Sequence, residues 1–185
     1  MFCRPKPPRR PTRLDLVVVG GPCTGKSQLV MRYTADKFSD DYAPTVGAEL
    51  AFDHGVSPTS IRTHQPVYIR DTAGREKEKD TVRRYLESAH GFLVVFDLTD
   101  RASLDHACVW IDELRVFHVP MVLVGTKADL AEQRQVTSEM ARGCGLPYFE
   151  VSAKQKKNVR APFFLLSDLA EAARPQESTQ RCSIL

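Results

Sequence analysis

The segment Gly20-Gly-Pro-Cys-Thr-Gly25-Lys26-Ser27 has the residue types and spacing that most directly carry chemistry. It fits G-x-x-x-x-G-K-[ST] and lies between an apolar run ending in glycines and a stretch of helical character, the context that pattern requires. Backbone N–H groups converging in such a loop, with the positive end of a helix behind them, can cradle phosphates. Lys26 can add charge toward the β- and γ-phosphates, and the Ser27 hydroxyl can ligate Mg2+. Taken alone, the pattern implies nucleotide binding without saying which nucleotide or what becomes of it.

Further segments narrow the choice. Asp71-Thr-Ala-Gly74 closes one apolar run, Thr126-Lys-Ala-Asp129 closes another, and Ser152-Ala-Lys154 follows a third. A carboxylate such as that of Asp129 can accept two hydrogen bonds from a ring with two adjacent donors; guanine has such a pair and adenine does not, so a pocket built on it would reject adenine. The apolar stem of Lys127 is long enough to lie over a flat ring.

The elements that must position these residues read as alternating strands and helices. Strand-sized apolar runs are Leu14–Val19, Val67–Ile69, Phe92–Phe96, Pro120–Val124 and Tyr148–Val151. Helical stretches are Lys26–Ala35, Arg101–Phe117, Val136–Cys144 and Val159–Ala173, with Leu104, Ala107, Cys108, Ile111 and Leu114 recurring at helical period. Residues 53–65 read as a long hairpin turn. Short buried strands alternating with helices predict an α/β fold, a doubly wound and mostly parallel sheet covered on both faces.

Composition sets the bounds. With 185 residues, 42% hydrophobic and 26% charged, the chain suits one globular domain with a packed core. No apolar run approaches the roughly 18 residues of a spanning helix. The 5 cysteines are scattered and lack metal-ligand spacing, so neither a zinc site nor a disulfide framework is expected, and reduced thiols are the simple reading. His54, His64, His90, His106 and His118 show no ligand spacing either. The net charge of +3 is concentrated in residues 1–13, where Arg4, Lys6, Arg9, Arg10 and Arg13 stand without an acid among prolines. This basic arm (1–13) reads as flexible, and it is suited either to an anionic membrane or acidic partner or to plain solvation. The body has no basic stripe, so no nucleic-acid partner is expected.

Taken together, order and spacing over residues 14–173 resemble the Ras-like small GTPases. The resemblance implies a six-stranded G-domain over 14–173, Mg2+ as cofactor, and GTP and GDP as ligands. It implies a nucleotide site of Gly20, Cys23, Thr24, Gly25, Lys26, Ser27, Gln28, Phe38, Thr45, Gly74, Thr126, Lys127, Asp129, Ser152, Ala153 and Lys154. Phe38 stands where the family packs an aromatic ring on the base, and Ala153 would present its N–H to the base oxygen. Ser27 and Thr45 would ligate the metal, with Asp71 acting through water. Lys26, Thr45, Gly74 and Arg75 would carry catalysis. Thr45 and Gly74 would sense the γ-phosphate, so that its loss releases both loops. Effectors, exchange factors and activating proteins would read Asp40–Leu50 and Gly74–Tyr85; the charge run Arg75–Asp80 lies on that second surface.

The chain departs from the family at several points. Thr126 replaces the commoner Asn, although members of the Rho branch also carry T-K-x-D. Pro22 stands where many relatives have glycine and removes one N–H. Arg75 replaces the usual Gln that orients the attacking water. A guanidinium has five donors and no acceptor, so slow hydrolysis is expected. The alternative is a hydrolysis-deficient, GTP-loaded scaffold. Cys23 sits beside a helix N-terminus, where thiolate character is favoured, but it reads most simply as a small loop residue.

The chain closes on Cys182-Ser-Ile-Leu185, a C-a-a-X signal that favours geranylgeranylation of Cys182, after a tail (174–185) read as flexible. One lipid needs a second signal for stable anchoring, and the basic arm is the expected source. The expected location is the cytoplasmic face of a membrane, with a cytosolic pool. Pro44-Thr-Val-Gly47, Asp97-Leu-Thr-Asp-Arg101 and residues 152–159 look Rab-like, while the single-cysteine ending is commoner in Ras and Rho members. A nucleotide kinase is argued against by Asp129 and by the C-a-a-X end. The reading is therefore an atypical Ras- or Rab-like membrane-anchored switch serving signalling or vesicle traffic.

Overall fold

Strand β1 (Leu14–Gly20) is buried at every position and so is β4 (Gly91–Asp97). Side chains alternate across a strand, so a strand buried on both faces must feed two cores. Leu14, Leu16 and Val18 pack with Leu29 and Val30 of α1 (Lys26–Ala35) and Phe163, Leu166 and Ala170 of α4 (Ala161–Ala173). Val17 and Val19 turn the other way, onto Leu104, Ala107, Ile111 and Leu114 of α2 (Arg101–Leu114). β4 splits in the same way, with Leu93 and Val95 on the first side and Phe92, Val94 and Phe96 on the second. Each such side chain contributes about 1.5–3 kcal/mol on burial, which makes this central pair the backbone of the fold.

The computed structural model describes residues 13–39, 48–53, 67–72 and 85–174. Its sheet has six strands in the order β2-β3-β1-β4-β5-β6. The others are β2 (Ala48–Asp53), β3 (Val67–Thr72), β5 (Met121–Thr126) and β6 (Tyr148–Glu150). All neighbours run parallel except β2, which pairs antiparallel with β3 and sets Asp53 opposite Val67. This is the doubly wound, mostly parallel sheet expected from the sequence. Beyond Asp53, the expected turn over residues 53–65 lies outside the described residues, as do the arm before Arg13 and the tail after Arg174. The strand order reverses at β1, between β3 and β4, and in such sheets ligands bind beyond the carboxyl ends at that point.

Three helices are shorter than the apolar period suggests, each for a local reason. The stretch expected as a helix to Phe117 ends at Leu114 and tightens into a 3-10 turn over Arg115–Phe117; Val116 there is 66% exposed, so nothing buried extends the stripe. The helix expected from Val136 is α3 (Ser138–Arg142), because the Val136 N–H bonds back to the Leu98 carbonyl at 3.1 Å and Thr137 caps the first turn. α4 starts at Ala161 rather than Val159, with Pro162 fixing its first turn.

The edge strand β6 has only three residues, too few to hold its place by ladder bonds alone. Its last residue, Glu150, supplies the rest. Arg134 donates Nη1 to Oε2 at 2.9 Å and Nη2 to Oε1 at 2.5 Å. Ser138 Oγ and Tyr148 OH also donate to Oε1, at 3.0 and 2.9 Å. The Arg134 guanidinium is the main cause holding the Glu150 carboxyl down at about 2. The usual value is 4.5. Since the folded value lies below the unfolded one, the stabilisation is complete above the unfolded value and is lost as pH falls toward the folded one. Glu150→Gln is expected to cost on the order of 1–2 kcal/mol at neutral pH, a figure discounted for the partial exposure of the pair. Denaturant unfolding of both proteins at neutral pH and again near pH 3 checks this, and the gap should narrow at the lower pH.

Candidate functional site

β1 ends at Gly20, against β4. A Cβ there would lie 2.0 Å from the Val95 carbonyl oxygen, so only glycine lets the two strands run this close. The loop then turns back through Cys23, at φ +59, and Gly25, at φ +83, into the first turn of α1. Gly25 precedes the helix with no side-chain cap, which leaves the first N–H groups of α1 directed toward the loop. Thr24 is buried and donates Oγ1 to the Gly21 carbonyl at 3.0 Å. Lys26 is 5% exposed, and its Nζ donates to the Gly21 carbonyl at 2.7 Å and the Gly20 carbonyl at 3.2 Å. Burial draws the Lys26 ammonium below the ordinary lysine value, opposed by the negative charge of Asp71 and by Cys23. A polyanion set against this loop would favour the charged form. Ser27 and Gln28 follow on the first turn of α1, where the Gln28 side-chain oxygen accepts from the Ser39 N–H at 3.1 Å.

The β5 end is tied to this loop. Thr126 is buried, and its hydroxyl lies within donating distance of the Thr24 carbonyl (2.6 Å) and the Phe96 carbonyl (3.0 Å). Lys127 follows with φ +58 and sets its ammonium 2.6 Å from Asp97 Oδ2. Asp97 closes β4; its other oxygen accepts from the Thr99 N–H and hydroxyl, each at 2.8 Å. The Lys127 ammonium is thereby tied to the end of β4.

After β6 the chain makes a closed turn. Ser152 is fully buried and exchanges two backbone hydrogen bonds with Lys157, at 3.0 and 2.9 Å. Its hydroxyl donates to Asp129 Oδ1 at 2.6 Å and accepts from the Gln155 N–H at 2.9 Å. The Ala128 N–H bonds to the Val151 carbonyl at 3.1 Å. Asp129 and the Ser152-Ala-Lys154 turn are therefore one unit. The other side of this unit holds a residue that no motif signals. Arg32, in the last turn of α1, donates Nε to the Ala153 carbonyl at 2.7 Å and lies 5.8 Å from the Phe38 ring centroid.

The expected residues of the loop, of Phe38, of Asp71 and of the two later turns thus gather at the carboxyl edge of the sheet. Thr45, Gly74, Arg75 and Cys182 lie outside the described residues. Asp97 and Arg32 carry no signature of their own; each is placed by contacts with residues distant in the chain. Non-glycine residues held at positive φ also gather around this edge, namely Cys23, Asp36, Lys127 and Lys156. Such strain persists only where surrounding contacts fix it.

Chemically, the edge offers a backbone anion cradle with a buried lysine, and across from it a carboxylate held on one oxygen. Ser27 and the buried Asp71 supply hard oxygen donors of the kind Mg2+ takes beside phosphate. Among the described residues, no group of three or more His, Cys, Asp or Glu could hold a metal, so a cation here would rely on its ligand's oxygens.

The Ras family profile matches residues 15–172. Ras-related protein Rab-39A of Homo sapiens is 34% identical over 173 residues, spanning 88% of this chain and 80% of its own. GTP-binding protein YPTM1 of Zea mays is 33% identical over 165 residues, 82% of this chain and 75% of its own. Ras-related protein RabC of Dictyostelium discoideum is 33% identical over 169 residues, 85% and 83% respectively. With the profile covering all but the first residue of the sheet and the last of the helices, the chain belongs to the Ras family and is a Rab-like small GTPase.

Proposed function

We propose that this GTPase is a membrane-anchored GTP/GDP switch, serving vesicle traffic or signalling, with slow intrinsic hydrolysis. The observation that carries the reading is the union at one sheet edge of the phosphate cradle and the Asp129–Ser152 unit, joined through Thr126. In this reading the N–H groups of residues 23–28 and the Lys26 ammonium hold the phosphates. Phe38 and the Lys127 stem enclose the base; Asp129 accepts from its N1 and N2 groups, and Ala153 donates to its oxygen. Gly20, Thr126 and Lys154 frame the pocket. Mg2+, held by the Ser27 and Thr45 hydroxyls and by Asp71 through water, would neutralise charge on the phosphates.

In hydrolysis, water attacks the γ-phosphorus and the bond to the GDP oxygen breaks. Charge developing there is met by Lys26 and loop amides, including Gly74. Arg75 has no acceptor for the water's proton, and this is the step we hold responsible for slowness. Arg75 also favours a second reading, a GTP-loaded scaffold that does not hydrolyse. In either reading, residues 40–50 and 74–85 present the nucleotide state to effectors and regulators.

No described helix is long and apolar enough to cross a membrane. We assign anchoring to geranylgeranyl on Cys182, at the cytoplasmic face, with the basic arm as second signal. In support, the two ends of the described body meet: the Arg174 guanidinium donates to the Arg13 carbonyl and lies 3.0 Å from His90 Nε2. The arm and the lipid-bearing tail therefore join the domain side by side.

Single-turnover GTP hydrolysis tests the catalytic claim. Arg75→Gln is expected to speed it on the order of 10–100-fold. An unchanged rate would remove Arg75 as the cause, and a native rate of zero would favour the scaffold. For anchoring, lipidated protein with Arg4, Lys6, Arg9 and Arg10 changed to Ala should leave vesicles containing anionic lipid at least tenfold more readily, at about 1 kcal/mol per basic residue near the surface. Undiminished partitioning would overturn the role of the arm.

A further inference from the structure

Arg32 uses three directions of one planar group. Its Nε edge donates to the Ala153 carbonyl at 2.7 Å. Its Nη1 edge donates to the Asp36 carbonyl at 2.8 Å and lies 3.3 Å from Asp36 Oδ1. Its guanidinium carbon stands over the Phe38 ring, 5.8 Å from the centroid. The side chain is only 15% exposed and its bond to Ala153 is partly buried, whereas its contacts with Asp36 are exposed. A second tether runs parallel to the first, from Lys156 Nζ to Asp36 Oδ2 at 2.5 Å, but both of its side chains are more than half exposed. Exposed pairs of that kind contribute little, whereas a half-buried charge-assisted bond to a carbonyl is worth more.

The three contacts join segments that are far apart in the chain. Phe38 follows α1 after the Asp36 cap, whereas Ala153 lies in the turn after β6, 121 residues from Arg32. We propose that Arg32 is a positioning residue for the purine: it locks the aromatic wall, Phe38, to the turn that reads the base oxygen, Ala153, so that both close on the ring together. This rests on the reading that Phe38 and Ala153 face guanine. Arg32 acts through those two residues. The geometry demands arginine specifically. An ammonium is a point donor, and it cannot reach the Ala153 and Asp36 carbonyls from two separate edges while its charge stands over the ring.

A plain structural reading also exists, in which Arg32 only closes the end of α1, where a cation is favoured by the helix dipole. The two readings separate by experiment on the full chain. The readouts are dissociation of fluorescent GDP, competition by 6-thio-GDP (oxygen replaced by sulfur) and by inosine diphosphate (2-amino group absent), and the thermal midpoint. Arg32→Ala and Arg32→Lys are both expected to speed GDP release about tenfold, the loss of one charge-assisted bond. Both should shrink the preference for GDP over 6-thio-GDP while leaving the preference over inosine diphosphate, which Asp129 sets, intact. Asp36→Ala, which removes the cap carboxylate but neither the Ala153 nor the Phe38 contact, should change release less than about twofold.

Full rescue by Arg32→Lys, or an Asp36→Ala effect as large as that of Arg32→Ala, would reduce Arg32 to a helix cap and overturn the proposal. So would unchanged release and discrimination in Arg32→Ala, given a native protein that prefers GDP over 6-thio-GDP. If the native protein shows no such preference, the base-pocket reading itself fails and takes this inference with it.

Discussion

β1 is paired along both edges and buried on both faces, and that constraint organises everything built around it. A strand enclosed in this way can present a group to solvent only at its ends. At its carboxyl end the close approach to Val95 excludes any side chain at Gly20, and the chain turns sharply into α1. The N–H groups of that turn, Lys26, and the ends of β3, β4 and β5 then fall on one edge because the neighbouring strands run parallel. Thr126 converts proximity into connection, since its hydroxyl reaches across 102 residues of sequence to the Thr24 carbonyl. The Gly20–Ser27 loop and the turns at 126–129 and 152–154 are therefore parts of one connected arrangement rather than separate loops.

Polar contacts, more than apolar packing, join the segments at this edge. The apolar clusters lie within the sheet and beneath the helices, while the edge carries strained backbone at Cys23, Lys127 and Lys156. Two of these strained turns, and one short strand, have an ionic clamp. Lys127 has Asp97, Lys156 has Asp36, and the short strand leading to Ser152 has Glu150 against Arg134. Exposed pairs such as Lys156 with Asp36 add little stability, whereas the partly buried Glu150 with Arg134 both stabilises and fixes the strand.

What could be read from the sequence was what is local in it. The loop from Gly20 to Ser27 and the segments 126–129 and 152–154 each hold their chemistry within a few residues, so type and spacing suffice. β1 and β4 are legible because strands buried on both faces lose the polar alternation and become continuous apolar runs. β2 makes no comparable run and is defined by its pairing with β3. Helix ends were less legible: Val136 looks helical by period, but its N–H is committed to Leu98, and Val116 extends an apolar period that meets no core. The contacts of Arg32, Asp97 and Glu150 were illegible because each depends on which distant segments the topology brings together.

The central claim is that this edge holds a guanine nucleotide. The most direct measurement is the identity of the nucleotide released by acid from freshly purified protein prepared with Mg2+ throughout, read by chromatography. The account predicts guanine nucleotide at close to one per chain, with a substantial GTP fraction if Arg75 slows hydrolysis. Adenine nucleotide, or protein that carries none, would contradict it.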